Sequence, residues 1–475
     1  MAAVGCTAPL PSIGGERAAP VAPNVPWVPP SDVLSHDTIA RTTVTDLPAD
    51  LTTRAARLTL ADVVDLALRG NPATRLSWAQ ARAGAATYGA AESRWLPTID
   101  ASGSLGQTKT PVAPGRLGGE RSQYGPSVSL SYLLFDFGGR GGAVSAAREA
   151  TVALDLTHNS TLQGVVLQAE SAYFTYIAAR ALLAAQQTAV QEATANLQAA
   201  QQRHDVGLAT IADVLQARTA LSQAQLVLET DAGNVQATRG ALAVAIGVPA
   251  NSPYDVEVPS DTVPVSAIAT TVDTLIAAAV AHRPDLEAAR AQVRQARAQI
   301  RVARSEQMPS FALTGSTGQT YSNIPTFEGP NYALTVGIQL PLFNGFGRQY
   351  DLLAAESESD AAAARADLVR TQVINEVFTS YYALQTATQR VRTAHDLLAS
   401  AQQSEEVARG RYAAGVGSII DLLTAQTALA DARAQAVQAR WGWAIALAQL
   451  ARDVGVLSPT GRSSLPLMPD TTGIH

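Results

Sequence analysis

The chain lacks most of what holds a small secreted domain together or marks a catalytic one. Of 475 residues one is cysteine, Cys6, so no intrachain disulfide can form. Aromatic residues make up only 5% while 47% are hydrophobic. The apolar count is therefore carried by small side chains, which favours long, closely packed helices over a thick globular core. No uninterrupted apolar run approaches the ~18 residues that a membrane-spanning helix needs. A membrane crossing by this chain has to use strands. The formal charge is -6 and no Lys/Arg cluster is present, which disfavours nucleic acid as a partner. The histidines, His36, His158, His204, His282, His395 and His475, show no metal-ligand spacing. No Ser-His-Asp arrangement, paired-carboxylate cleft or CxxC is discernible, so neither catalysis nor a cofactor is expected.

Proline is absent between Pro126 and Pro249 and again between Pro341 and Pro459. These two reaches carry heptad patterns: Leu162, Ala169, Tyr176, Leu183, Val190 and Leu197 before Gly207, and Val214, Leu221, Leu228, Val235 and Leu242 after it. Sustained heptads on both sides of a tight turn predict an antiparallel coiled-coil hairpin, its first helix running from about Ala143 to His204. Ahead of each reach, residues alternate in character. Ile99, Ala101 and Gly103 oppose Asp100, Ser102 and Ser104, and Val128, Leu130, Tyr132 and Leu134 oppose Ser127, Ser129 and Ser131. Period two with one apolar and one polar face predicts half-wet antiparallel strands.

RHDVGLATIADVLQARTAL from Arg203 returns as RYAAGVGSIIDLLTAQTAL from Arg411, an offset of 208 (411 − 203) that also maps LFDFGGR at Leu134 onto LFNGFGR at Leu342. Pro97 maps onto Pro309 at 212 (309 − 97), so the loop between strands differs by four residues. A shared offset across strands, turns and hairpin is an internal duplication. The expected organisation is a Pro-rich strap over 1–57, a first repeat over 58–250 with strands at about 97–106 and 124–135, and a linker over 251–270. A second repeat over 271–457, with strands at about 309–320 and 331–342, precedes a tail over 458–475. Thr59 and Gly70 bracket a short helix, and Asn71-Pro72 and Arg283-Pro284 each open another. Cys6 follows AAVG, small residues as in a bacterial lipoprotein processing site, although Ala3 stands where leucine is usual; it is the candidate lipid-attachment residue.

Four strands cannot close a membrane barrel, and an open edge in hydrocarbon leaves backbone groups unsatisfied. Closure must come from several chains, two giving eight strands and three giving twelve. With LFDFGGR and LFNGFGR at the strand-to-helix junctions, Gly-containing hairpins beside Asp213 and Asp421, and the twofold programme, the chain from about Thr59 to Val456 resembles the TolC-type outer-membrane efflux proteins, in their lipid-anchored branch. The resemblance implies a mainly α protein with a membrane β-barrel part, a tandem repeat completing a 12-stranded β-barrel and a 12-helix α-barrel only as a homotrimer. It implies an exit duct for small molecules in the outer membrane of a Gram-negative bacterium. The partners would be a periplasmic adaptor and an inner-membrane pump.

The same resemblance places Asp213, Asp421 and Tyr412 at a periplasmic aperture. It gives Gly207, Leu208, Gly415 and Val416 to the hairpin tips that meet the adaptor, and Phe135, Asp136, Phe343 and Asn344 to the barrel-helix junction. Three copies of each aspartate would form a ring favouring cations. The plainer reading is an acidic residue in the first turn of a helix, favoured by the backbone dipole. Relatives carry an arginine two residues after the tip glycine, where this chain has Gly417, which implies a latch that is looser or differently wired. FGGRGG at Phe137 follows a strand and opens a helix, but its third glycine position is Val144, so a chain-reversing turn is expected rather than a phosphate loop. Two rivals stand beside the efflux duct: a type I protein-secretion channel, and a periplasmic coiled-coil scaffold with a small soluble sheet.

Overall fold

The computed structural model describes residues 57–110, 119–258 and 270–457, and the backbone of a two-residue ladder, β1 (Ser12–Ile13) against β2 (Glu16–Arg17). Cys6, nearly all of the 1–57 strap, part of the linker and the 458–475 tail lie outside the described residues. The first repeat comprises α1 (Leu60–Gly70), α2 (Pro72–Glu92), β3 (Thr98–Thr110), β4 (Gly119–Phe135), α3 (Gly139–Asp205) and α4 (Ile211–Ile246). The second comprises α5 (Val272–His282), α6 (Pro284–Ser305), β5 (Ser310–Ser322), β6 (Gly329–Gln339), α7 (Gly347–Ala413) and α8 (Ile419–Val454). Both α3 and α7 have 67 residues, and both α4 and α8 have 36. A 67-residue helix is roughly 100 Å long at about 1.5 Å per residue. Among the described residues, no helix is long and apolar enough to cross a membrane.

The four long strands form one antiparallel sheet in the order β3-β4-β5-β6. Its register brings Ile99 opposite Leu130, Tyr132 opposite Leu313, Leu313 opposite Val336 and Gly315 opposite Leu334. Residues directly opposite share a face, so the apolar sets of all four strands merge into a single face. Ser102 and Ser127, which hydrogen-bond at 2.9 Å, lie on the other with Ser129, Ser316 and Ala333. The apolar face is uncovered: Leu105 is 84% and Tyr332 89% exposed.

Strand limits differ from those expected. β3 and β4 pair as far out as Thr110 and Gly119, because backbone pairing continues through Lys109 and Glu120 where side-chain alternation has already faded. β6 ends at Gln339, short of the expected 342, where Pro341 has no N–H for the ladder. Helix α3 begins at Gly139, four residues before the expected start at about Ala143.

Each repeat builds its core from the same positions. Val63, Ala67, Val165, Ala169, Tyr176, Leu242 and Ile246 are buried in one cluster. Leu275, Ala279, Val373, Val377, Leu384, Leu450 and Val454, their repeat equivalents, are buried in the other. In both, the short first helix lies on the long hairpin. The start of the first repeat is sewn to the linker by a parallel bridge, Leu58 N–H donating to Asp255 O at 3.0 Å and Glu257 N–H to Leu58 O at 2.9 Å. Tyr173 Oη donates to Glu257 O at 2.6 Å beside it.

Candidate functional site

At each hairpin tip a glycine in the left-handed region turns the chain, Gly207 at φ 77° and Gly415 at φ 75°. The exposed Leu208 and Val416 follow them at repeat-equivalent places. The return helices start with matched caps. The Thr210 backbone and hydroxyl donate to Asp213 Oδ2 at 2.8 and 2.9 Å, while Asp213 N–H donates to Thr210 Oγ1 at 3.3 Å. Ser418 and Asp421 repeat this at 3.3 and 3.1 Å. Both aspartates thus close capping boxes, each carboxylate held at the tip by its own helix start. The plainer reading accounts for their presence, and their carboxylates still stand at the end of the hairpin.

Tyr412 is 9% exposed, packed with Ala200, Val214, Ala217, Ile419 and Leu422 in a small core between the two tips. Its phenol makes no hydrogen bond among the described residues. Burial pushes its pKa up, opposed by the nearby Arg203 charge and reinforced by Asp213. The bond between hairpins comes instead from Arg203, whose Nη1 donates to Tyr412 O at 2.5 Å while the guanidinium lies over the tyrosine ring, Cζ 4.7 Å from its centroid. A side chain at Gly417 would be crowded, since a Cβ there would sit 3.0 Å from Arg411 Cβ. The contact between the two tips is therefore made from the neighbouring hairpin. Further along, Glu192 on α3 takes a forked ion pair from Arg433 on α8, with N–O distances of 3.1 and 3.2 Å, and Asn196 bonds Gln426. Sequence reading missed Arg203, Glu192 and Arg433. The signal for Arg203 was available, because it heads the repeated stretch.

With a Cβ, the left-handed conformation costs about 1–2 kcal/mol. Gly415→Val should therefore strain the second tip and lower stability by about 1–2 kcal/mol. Thermal unfolding of the extracted protein checks this, and an unchanged midpoint would show that the tip tolerates a side chain there.

At the other end of α3 and α7 the chain passes from strand to helix through two left-handed residues in succession. They are Phe137 and Gly138 (φ 51° and 94°) in the first repeat and Gly345 and Phe346 (φ 70° and 67°) in the second, so Phe and Gly have exchanged places. The turn closes through Gly139 N–H to Asp136 O at 3.2 Å and Gly347 N–H to Asn344 O at 3.4 Å, the pattern of a tight turn with both central residues at positive φ. A bulky residue there is strained, and the gain is packing. Phe137 meets Phe135 edge-on at 4.7 Å, Phe135 lies 6.4 Å from Phe311, and Phe346 meets Phe343 at 5.5 Å. Asp136 caps α3, its Oδ2 accepting the Arg140 N–H at 2.5 Å.

The sequence profile of the family described as outer membrane efflux protein matches residues 63–248 and 275–456, one segment in each repeat. The chain belongs to this family. Protein CyaE of Bordetella pertussis is 29% identical over 391 residues, covering 81% of each chain. The toluene efflux pump outer membrane protein TtgC of Pseudomonas putida is 24% identical over 379 residues, 77% of this chain and 75% of the other. Among solved structures, the outer membrane protein VceC of Vibrio cholerae superposes with a TM-score of 0.76 at 20% identity, covering 83% of this chain and 96% of that one. The protein is an outer-membrane efflux channel with a long periplasmic helical extension, and not an enzyme. The scaffold reading fails on this membership and on the bare apolar face of the sheet.

Proposed function

We propose that three copies of this outer membrane efflux protein close a twelve-stranded barrel and a twelve-helix tube. An inner-membrane pump would feed the tube through a periplasmic adaptor held at the hairpin tips, and small, mostly apolar toxic compounds would be the cargo. The observation that carries this is the four-stranded sheet with one apolar face, one polar face and edges at β3 and β6 that are unpaired among the described residues. In hydrocarbon such edges leave backbone N–H and C=O groups without partners, and neighbouring copies supply them. The cargo class follows the relative named for toluene efflux. In this reading Cys6 carries a lipid that adds to membrane attachment, which mass spectrometry of the extracted protein tests directly.

Planar-bilayer recording of the detergent-extracted protein tests the duct: trimers should insert and give small steps, and failure to insert would refute it. The acidic tips supply a second test. Asparagine at Asp213 and Asp421 keeps an oxygen for each capping box while removing the charge, so the double Asp213→Asn/Asp421→Asn variant should keep its trimer and lose most of its cation preference. The reversal potential in a salt gradient measures this; an unmoved potential would take the aspartates out of the aperture.

A further inference from the structure

The ends of α2 and α6, the starts of α3 and α7 and the lower edge of the sheet surround a cavity of 620 Å³. Its charged lining is Arg94, Arg140, Arg348, Asp136 and Glu306, three guanidiniums against two carboxylates. Arg140 and Arg348 are the same position in the two junction motifs, 208 apart (348 − 140), so the cavity sits where the repeats meet.

Arg140 is only 6% exposed, yet its Nε and Nη1 have no hydrogen-bond partner among the described residues. Its Nη2 donates to Leu134 O at 3.1 Å, the carbonyl freed by a β-bulge between Leu133 and Phe135. Its guanidinium lies over Trp95, Cζ 4.5 Å from the ring centroid. Asp136 Oδ2, at 3.7 Å from Nε, is too far for a hydrogen bond and already accepts the Arg140 backbone N–H. A buried guanidinium with two donor nitrogens unmatched is costly unless an acceptor meets them. Neither Arg94 nor Arg348 is paired with a carboxylate among the described residues.

We propose that this cavity binds the anionic group of a solute in the duct, a phosphate, sulfonate or carboxylate, with Arg140 as the fixed fork and Arg94 and Arg348 as flanking charges. A planar fork of N–H donors matches such an oxyanion in two bonds at once. The assignment to the duct interior rests on the proposed barrel. Ser131, Ser310 and Gln339, which line the cavity, belong to the polar face of the sheet, whereas lipid would meet the face of Tyr132, Phe311 and Ile338. The site is built from side chains and owes nothing to the glycines of FGGRGG, which only turn the chain.

Calorimetry of the detergent-extracted full chain with pyrophosphate, against sodium chloride of equal ionic strength, tests the site. Saturable binding is expected, weakened about tenfold or more in the Arg94→Gln/Arg348→Gln double variant and abolished in Arg140→Gln. Because Arg140 is buried and its replacement could prevent folding, the double variant at two accessible positions decides independently. Absence of saturable binding to the wild type, or equal binding by the double variant, overturns the proposal. So does binding of phosphatidylglycerol micelles without binding of pyrophosphate, which would put the site on the lipid side. In bilayers, pyrophosphate should reduce wild-type current and leave the double variant unaffected. Channels indifferent to pyrophosphate would remove the site and keep the duct. A chain that binds pyrophosphate but forms no channel would remove the duct and the interior assignment with it.

Discussion

Arg283→Ala should be among the most damaging single substitutions in the chain, lowering stability by about 3–5 kcal/mol, the usual cost of removing one partner from a buried ion pair. Arg283 is 3% exposed and ties together three elements at the foot of the second hairpin. Its Nε and Nη2 fork onto Asp285 at 3.0 and 2.5 Å, and its Nη1 donates to Glu376 Oε2 at 2.6 Å and to Asp453 O at 3.3 Å. Arg452 closes the ring by donating to Glu376 at 3.1 Å and Asp453 at 2.9 Å. Without Arg283 two carboxylates remain in a partly buried place with most of their compensation gone. Thermal unfolding of the extracted protein measures the loss, and a change below about 1 kcal/mol would show the network to be ornamental.

The first repeat supplies the control. Its equivalents of Arg283, Asp285, Glu376, Arg452 and Asp453 are Asn71, Ala73, Gln168, Val244 and Ala245, all uncharged. Asn71 Nδ2 donates to Ala245 O at 3.2 Å, the same bond that Arg283 makes to Asp453 O. The five-residue replacement that copies the first repeat should therefore be closer to wild type than Arg283→Ala alone, since it removes charge and countercharge together. The pH dependence has a definite sign. Burial pushes the Asp285 and Glu376 carboxyls up, but the hydrogen bonds and charge of Arg283 outweigh it and both lie below their ordinary 3.8 and 4.5. Their contribution is present above those values and is lost as pH falls through the lowered ones. In Arg283→Ala most of the compensation is gone and burial dominates. Acidification then relieves the variant, and the gap to wild type narrows as the pH falls toward the ordinary carboxylate range.

The duplication explains why so much of the fold was legible. Proline-free reaches, heptads and a constant offset are periodic signals, and they located both hairpins, all four long strands and the tip glycines. What periodicity cannot show is a contact that breaks the repeat. Tyr412 stands where the first repeat has His204, and Arg203 reaches the tip of the other hairpin, so the latch depends on how the hairpins lie side by side. The same holds for Arg140, whose burial follows from a β-bulge at Leu134 that alternation does not reveal. Asp213 and Asp421 were legible as acidic residues near helix starts. Their engagement in complete capping boxes required the backbone of Thr210 and Ser418 to be placed.

That asymmetry sets the largest expected effect on conduction. Arg203→Ala removes the donor to Tyr412 O and the cation from the tyrosine face, the polar contacts that join the two tips beside their small apolar core. A charge-assisted hydrogen bond is worth about 1.5–3 kcal/mol, so the balance between joined and separated tips moves by roughly tenfold to a hundredfold. The Glu192–Arg433 pair and the Asn196–Gln426 bond lie farther from the tip and hold the hairpins together below it. The hairpins should stay joined along their length, therefore, and part only at the end. Single-channel recording should show wild-type insertion with larger or longer-lived steps. Arg203→Lys keeps the charge but cannot donate to Tyr412 O while lying flat on its ring, and it should fall between the two. If Arg203→Ala conducts as the wild type does, the tips are held by something other than this contact. Equal rises from Arg203→Ala and Arg433→Ala would instead mean that the whole seam between the hairpins sets the aperture.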